Sequence, residues 1–207
     1  AGAGSSSRPA KAPGRVDVSI MNIVGFDASA LGNHEFDLGT STIREILAPD
    51  FRAAGLADDR WVGSQFPYLS ANLDFSADPN LASLFTADIL PNTAFASGPD
   101  QSLAGTAGPK IAPATIIEAG GQKIGVVGAT TPLLQSISSP GATTVKDPGA
   151  GTNDMAALAT ILQPTIDALK AQGINKIILT THLQQLSLEK ALVPLLSEVD
   201  ISIAGGS

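Results

Sequence analysis

Cysteine is absent from this chain, histidine occurs twice, and aromatic residues make up only 4% of it. Without thiols, neither a disulfide nor a thiolate metal site can form. No run of about 18 apolar residues occurs, so no segment is predicted to cross a membrane. Basic residues number 12 against 19 acidic ones, which gives a net charge of −7. An acidic chain without a basic stripe is not expected to bind a nucleic-acid polymer.

The rest of the composition predicts a folded domain. The chain has 207 residues, of which 43% are hydrophobic and 15% charged, and this is enough to bury a core. Residues 1–14 are rich in glycine, serine and proline and contain no apolar segment, so we predict a flexible segment there and no signal peptide. Residues 15–207 are predicted to form the domain.

Apolar residues alternate between helical and extended spacing along the domain, which predicts an α/β fold. Helices are predicted in RVDVSIMNIVGF, in TIREILAPDFRAAG, from Asn153 or Asp154 onward, and in QLSLEKALVPLLSEV. Strands are predicted in DASAL, PYLSANL, NKIILTTH and DISIAGGS, and a hairpin is predicted to turn at Gly120-Gly121. Two stretches, near 74–110 and 138–151, lack periodicity and are predicted to be irregular excursions.

Both histidines follow an apolar strand. His34 lies in the sequence Gly-Asn-His-Glu after DASAL, and His182 ends NKIILTTH. Because the carboxyl ends of strands meet at one edge of an open α/β sheet, the two histidines can share a site despite their separation in sequence. Imidazole and the amide oxygen of Asn33 suit Zn, Mn, Fe or Co better than Ca. The alternative for each histidine alone is a hydrogen-bonded loop residue.

The sequence also resembles a known family. MNIVGFDASALGNHEFDLG, FPYLSANLD, IIEAGGQKIGVVGATTP and VDISIAGGS are similar, in this order, to segments of the calcineurin-like metallophosphoesterases of the 5′-nucleotidase branch. The resemblance covers residues 15–207 and implies an αββα sandwich with mixed sheets. It implies two divalent metal ions (Zn, Mn, Fe or Co) that clamp the phosphate of a small substrate, such as a nucleotide, and activate a water.

The same resemblance implies roles for five residues. Asn33 and His182 match ligands of the second metal, and His34 matches the histidine that stabilises the departing oxygen as a general acid. Glu35 and Asp37 match residues that orient this loop from outside the metal site. For these two carboxylates, the alternative is the ordinary polarity of a turn or a helix start.

Several motifs of the family are missing. Neither its Asp-x-His motif nor its Gly-Asp pair precedes His34. In the simplest alignment, Gly206 takes the place of the first histidine of its terminal Gly-Gly-His motif; in the alternative register, Gly205-Gly206 match the two glycines and the histidine is absent. We therefore expect a domain that is incomplete at both ends and inactive by itself. Its parent protein is expected to hydrolyse phosphomonoesters like a nucleotidase, to be secreted or periplasmic, and to supply the missing portions as partners. The alternative is a non-catalytic relative that keeps the fold as a binding or interaction module.

Overall fold

The computed structural model describes residues 13–50, 61–97 and 108–206. Most of the segment predicted to be flexible, the end of the predicted second helix and part of the first excursion lie outside these residues. The fold is α/β with mixed sheets, as predicted. The α-helices are α1 (Arg15–Val24), α2 (Thr40–Leu47), α3 (Leu134–Ile137), α4 (Met155–Ala171) and α5 (Leu186–Leu192). The strands are β1 (Ser29–Ala30), β2 (Tyr68–Leu69), β3 (Leu73–Asp74), β4 (Leu90–Pro91), β5 (Ile111–Ala112), β6 (Ala114–Ala119), β7 (Gln122–Thr130), β8 (Thr144–Val145), β9 (Ile177–His182) and β10 (Ile201–Gly205).

Two sheets carry the strand ends on which the site is built. The larger sheet has the order β10-β9-β7-β6-β4; β6 and β7 form the predicted antiparallel hairpin, and the other neighbours are parallel. Thr130 at the end of β7 and Gly205 at the end of β10 pair with His182 from either side. The smaller sheet is parallel, in the order β1-β2-β5, and β3 pairs separately with β8.

The two sheets make a close contact at a glycine of β7. A Cβ atom at Gly128 would overlap the carbonyl group of Leu69 in β2, so a larger residue cannot be placed there without moving the backbone. A hydrogen bond joins the two segments at this point: the Ala71 N–H, just after β2, donates to the Gly128 oxygen at 2.8 Å. β1 also lies beside β7 and β9. The loop that follows β1 therefore reaches the carboxyl ends of those strands.

Helix α4 covers the larger sheet. The carboxylate of Asp154 caps its first turn by accepting hydrogen bonds from the N–H groups of Ala156 and Ala157, each at 3.0 Å. Its apolar face is fully or almost fully buried against the sheet, and burial of one such side chain stabilises the fold by about 2 kcal/mol. That face consists of Leu158, Leu162, Ile166 and Leu169. This packing holds β9, which ends in His182, in place.

Helix α1 is found where the periodicity predicts it, but its apolar row is not buried. The row that defined the helical spacing is 55–85% exposed, whereas Val18, on another side of the helix, is buried. The exposed row consists of Val16, Ile20, Ile23 and Val24. Spacing thus predicted the helix without predicting which of its faces is buried.

The segment PYLSANL was predicted as one strand, and this prediction is wrong. It forms β2 and β3, which belong to different sheets. Between them Asn72 is completely buried and pairs with the backbone of Thr130, accepting from its N–H at 2.8 Å and donating to its oxygen at 2.7 Å. The Asn72 side chain thus forms hydrogen bonds with the backbone at the end of β7, at the point where the chain has left the smaller sheet after Leu69.

Short elements occupy the stretches predicted to be irregular. β4 and 3₁₀ turns at Ala82–Leu84 and Asn92–Phe95 lie in the first, and β8 lies in the second. α5 is shorter than the predicted helix and continues as a 3₁₀ turn over Val193–Leu195. Within the described part of the chain, no helix is both long enough and apolar enough to cross a membrane.

Candidate active site

The loop after β1 is a tight turn that presents His34. The backbone N–H of Gly32 donates to Oε2 of Glu35 at 2.7 Å, which closes the turn. His34 begins a 3₁₀ turn, His34–Phe36, and Phe36 anchors it with a fully buried ring. The His34 side chain is 72% exposed. The buried Phe36 ring therefore fixes the loop to the core, while the His34 imidazole remains accessible to a ligand.

His34 forms a hydrogen-bonded pair with Asp37. The imidazole Nδ1 and the carboxylate Oδ2 are 2.7 Å apart. Since an ionised carboxylate only accepts hydrogen bonds, Nδ1 carries the proton and Nε2 is left for other partners. The hydrogen bond and the charge of Asp37 raise the pKa of His34 above its ordinary value. Hydrogen bonds from His34 and Ser138 lower the pKa of Asp37, so the carboxyl group stays ionised.

His182 lies between two glycines at the end of β9. A Cβ atom at Gly32 would come within 2.5 Å of its Nδ1, and one at Gly206 within 2.6 Å of its Nε2. The imidazole thus packs directly against backbone on two sides. Its Nε2 is buried and, among the described residues, has no hydrogen-bond partner. A buried nitrogen without a partner is costly, and coordination of a metal ion would satisfy it.

Asn33 completes the group of polar side chains predicted to meet. It is 4% exposed, and its Oδ1 accepts a hydrogen bond from Nε2 of Gln184, two residues after His182. The rings of His34 and His182 lie edge to face with their centroids 6.4 Å apart. The structure therefore brings Asn33, His34 and His182 together at one edge of the sheets.

Sequence reasoning missed three supports of this site. Gln184 contacts Asn33, Ser138 contacts Asp37, and a buried network fixes the end of β7. In that network the Thr130 hydroxyl donates to the oxygen of Leu31, immediately before the loop, at 2.7 Å. Ser138 and Thr130 lie about a hundred residues from this loop in the chain. Of these residues, only Gln184 could have been suspected from the sequence, because it lies two residues after the histidine that ends a predicted strand.

His34 and Glu35 also line a cavity of about 400 Å³ between α1 and α2. Its walls are mainly apolar side chains from the two helices and from the end of β1. Asp17 lines it as well. The space beside the exposed imidazole is therefore large enough for a small organic group and carries acidic residues.

The side chains present fit part of a metal site. The unpartnered Nε2 of His182 and the amide oxygen of Asn33 are both of the kind that holds a divalent transition metal. Across the described ranges, however, no three His, Cys, Asp or Glu side chains are grouped so that they could hold a metal ion. Gly206 offers no ligand beside His182. Asn33 and His182 can therefore supply two ligands to one metal ion, and they do not make up a complete site for two metal ions.

Comparison with known proteins decides the family. No family model matches the chain. Over 172 residues, 82% of its length, it is 33% identical to the trifunctional nucleotide phosphoesterase protein YfkN of Bacillus subtilis. Over 188 residues, 91% of its length, it is 31% identical to the 5′-nucleotidase of Mus musculus. The structure of a 5′-nucleotidase precursor from Thermus thermophilus matches 95% of the chain with a TM-score of 0.66 and 26% identity. The chain is homologous to the 5′-nucleotidases over most of its length.

These 5′-nucleotidase homologues are much longer than this chain. The chain spans 10% of the Bacillus protein, 24% of the mouse protein and 29% of the Thermus chain. The predicted resemblance is thus confirmed, and so is the metallophosphoesterase type of α/β fold. The homology covers most of this chain and about a quarter of the mouse 5′-nucleotidase.

Proposed function

We propose that this chain forms the His34-bearing part of a metal-dependent phosphomonoesterase of the nucleotidase type. The observation that carries the proposal is the His34–Asp37 pair lying 6.4 Å, ring to ring, from His182, whose buried Nε2 has no partner among the described residues. One group is suited to move a proton and the other to hold a metal ion. Homology to 5′-nucleotidases supports a small phosphorylated substrate such as a nucleotide.

In this proposal His34 is the general acid. Asp37 holds Nδ1–H, so the other nitrogen, Nε2, delivers a proton to the oxygen that leaves the phosphate. The raised pKa keeps the imidazole protonated closer to neutral pH, where a general acid must work. Asp37 orients the ring and balances its charge. Glu35 keeps the loop closed through the Gly32 N–H and takes no part in proton transfer.

Asn33 and His182 would hold one divalent ion, Zn, Mn, Fe or Co. When bound, such an ion supplies positive charge to the phosphate and lowers the pKa of a water. Gln184 donates to the Asn33 oxygen, and this hydrogen bond orients the amide while the second lone pair of the oxygen can bind an ion. The described residues contain no group of three His, Cys, Asp or Glu side chains that could hold an ion. Ligands of a second ion would therefore come from other portions of the parent protein.

The activity is proposed for the parent protein, because the chain spans about a quarter of the mouse 5′-nucleotidase. The chain alone is expected to be inactive, since the Gly-Asp pair that supplies the family's bridging carboxylate does not occur before His34. The missing portions of the parent are then its natural partners. We also propose secretion or a periplasmic location for the parent, as the family resemblance implies.

Phosphate release from a nucleoside monophosphate and from p-nitrophenyl phosphate, with Mn²⁺ or Zn²⁺, tests the proposal. The full-length protein should hydrolyse both, and its His34→Ala variant should be slower on the nucleotide. The 207-residue chain should show no turnover above background. If the full-length wild-type protein releases no phosphate with either Mn²⁺ or Zn²⁺, the proposed phosphomonoesterase activity is contradicted.

A non-catalytic module is the second candidate. It is favoured by Gly206, which offers no side chain as a ligand beside Nε2 of His182. Under that hypothesis the full-length protein should bind a nucleotide or phosphate in a metal-dependent manner and leave it intact. Calorimetric binding measured together with phosphate release separates the two.

A further inference from the structure

We infer that Ser138 is a positioning residue for the His34–Asp37 pair. Its hydroxyl lies 2.9 Å from Oδ1 of Asp37 and 2.7 Å from the backbone oxygen of Asn33. Ser138 thus contacts the residue that precedes His34 and the carboxylate that binds its ring, and the Ser138 hydroxyl has no hydrogen bond to His34 itself. It comes from a separate segment, where it directly follows α3.

The backbone of Ser138 is fixed by the core. Its N–H donates to the oxygen of Leu134 at 3.1 Å, and Leu134 is fully buried. The side chains of His34 and Asp37, in contrast, are 72% and 46% exposed. Among the described residues, hydrogen bonds to the Asp37 carboxylate come from His34 and Ser138 alone. Phe36 anchors the backbone of this loop, and the serine attaches the Asp37 carboxylate to the buried structure.

The two oxygens of Asp37 have separate donors. Oδ2 accepts from His34 Nδ1, and Oδ1 accepts from Ser138. A donor on each oxygen restricts rotation of the carboxylate about its last bond, which is broad when unrestrained. The Ser138 hydroxyl has one proton and two acceptors within reach, Asp37 and the Asn33 oxygen, and both belong to the His34 loop. Whichever it bonds at a given moment, it holds the same loop.

The consequence is a choice of tautomer. With Asp37 oriented, neutral His34 keeps its proton on Nδ1, and Nε2 is the nitrogen that exchanges protons with a ligand. Without Ser138, the carboxylate can turn away and the imidazole can place its proton on either nitrogen. Ser138 therefore acts on His34 through Asp37, although the two hydrogen-bonded residues Ser138 and Asp37 lie 101 positions apart in the chain.

Nuclear magnetic resonance of the 207-residue chain tests the inference without any activity. The ring ¹⁵N shifts of His34, measured on the alkaline plateau of its titration where the ring is neutral, report the fraction with the proton on Nδ1. The chain has two histidines, so His34→Gln identifies the signals. Ser138→Val and Ser138→Thr are a matched pair, nearly equal in shape and differing in the hydroxyl. Ser136→Ala is the control, because that hydroxyl donates to Leu133 and lies outside the site.

We expect the Nδ1–H fraction to fall in Ser138→Val and in Ser138→Ala, and to be retained in Ser138→Thr and Ser136→Ala. Two variants that lack the hydroxyl keep the test decisive if one of them folds poorly. The same fraction in the wild type and in both hydroxyl-free variants would overturn the inference.

A second arm rests on the proposed function and uses the full-length protein. Ser138→Val should lower kcat by about tenfold for an alkyl phosphate, the size of effect of one hydrogen bond to a charged group, with KM unchanged. Ser138→Thr should restore it. An unchanged kcat in an active protein counts against Ser138. If the wild type releases no phosphate, the proposed function fails, and the resonance measurement still decides the role of Ser138.

Discussion

The imidazole rings of His34 and His182 lie with their centroids 6.4 Å apart and their planes at 77°. They are held by different parts of the fold. His34 is bound by Asp37 in its own loop, whereas His182 is the last residue of β9 and packs against Gly32 and Gly206. The rings are too far apart for a direct hydrogen bond and close enough for one small ligand to touch both. Because their supports differ, variants can separate their roles.

Replacing His182 should reduce metal binding. If Nε2 is a ligand, His182→Ala in the full-length protein should weaken Mn²⁺ binding by at least about 10- to 100-fold, the range for disturbed metal sites. Calorimetric titration with Mn²⁺ measures the affinity, and excess Mn²⁺ should restore part of the phosphate release. His34→Ala is the matched control and should bind Mn²⁺ like the wild type. A loss of metal in His34→Ala would move that histidine into the ligand set.

Replacing His34 should affect the rate and not the metal. A positioned general acid contributes about 10²- to 10⁴-fold, so kcat of His34→Ala should fall by that factor on an alkyl phosphate. The fall should be smaller on an aryl phosphate, whose leaving oxygen departs without a proton. Stopped assays with one substrate of each kind give the comparison. Equal losses on both substrates contradict the general-acid role.

The pKa of His34 should depend on Asp37. The carboxylate raises the pKa of the imidazole, so Asp37→Asn should lower it toward its ordinary value. Titration of the His34 ring signal in the 207-residue chain measures this directly. In the full-length protein the alkaline limb of the rate profile, where the acid loses its proton, should move to lower pH. A His34 pKa that is the same in the wild type and in Asp37→Asn would show that the pair does not interact in solution.

The space around His182 should tolerate no side chain at position 206. Gly206 has φ +85° and a Cβ there would approach Nε2 to 2.6 Å, while Gly25 has φ +84° with open space around it. Gly206→Ala and Gly25→Ala therefore carry the same backbone cost, about 1 kcal/mol or more. The further loss of unfolding free energy in Gly206→Ala, about 1–3 kcal/mol, reports the contact with the imidazole. Denaturant unfolding measures both, and equal losses contradict the contact.

Lys110 should make stability rise at alkaline pH. Its side chain is 1% exposed, and its ammonium group donates to the oxygens of Ser64 and Phe95 and to the Ser97 hydroxyl. Desolvation lowers the pKa of this lysine to about 8. Because the unfolded chain keeps an ordinary value of about 10.4, it binds more protons than the folded chain between these pH values. Stability should therefore increase from about pH 8 to about pH 10.

The measurement for Lys110 is unfolding free energy at several pH values. The wild type should gain up to about 3 kcal/mol relative to Lys110→Met across this interval, since one pKa unit corresponds to about 1.4 kcal/mol. Lys123→Met, at an exposed lysine, serves as the control and should run parallel to the wild type. Parallel curves for the wild type and Lys110→Met would show that the lysine keeps an ordinary pKa in the folded chain.

The type of fold and the pair of histidines could be predicted from local patterns. Helical and alternating spacing, the Gly120-Gly121 turn and the Asp154 cap depend on neighbours within one or two turns, so they are visible in the chain itself. The placement of His34 and His182 at strand ends is visible in the same way. Such patterns indicate that an element forms and do not indicate what it packs against, which is why the exposed row of α1 was not foreseen.

By itself the sequence determined that this is an α/β chain of the metallophosphoesterase type with two histidines at strand ends. Only the tertiary structure decided how those histidines are held. Gly128 allows the two sheets to approach, and Asn72 divides the segment predicted as one strand. Ser138 reaches Asp37, and Gln184 reaches Asn33, from positions more than a hundred residues away. These contacts depend on shape and hydrogen bonding between segments that are distant in the chain. Local spacing of residues therefore cannot predict which distant side chain will form them.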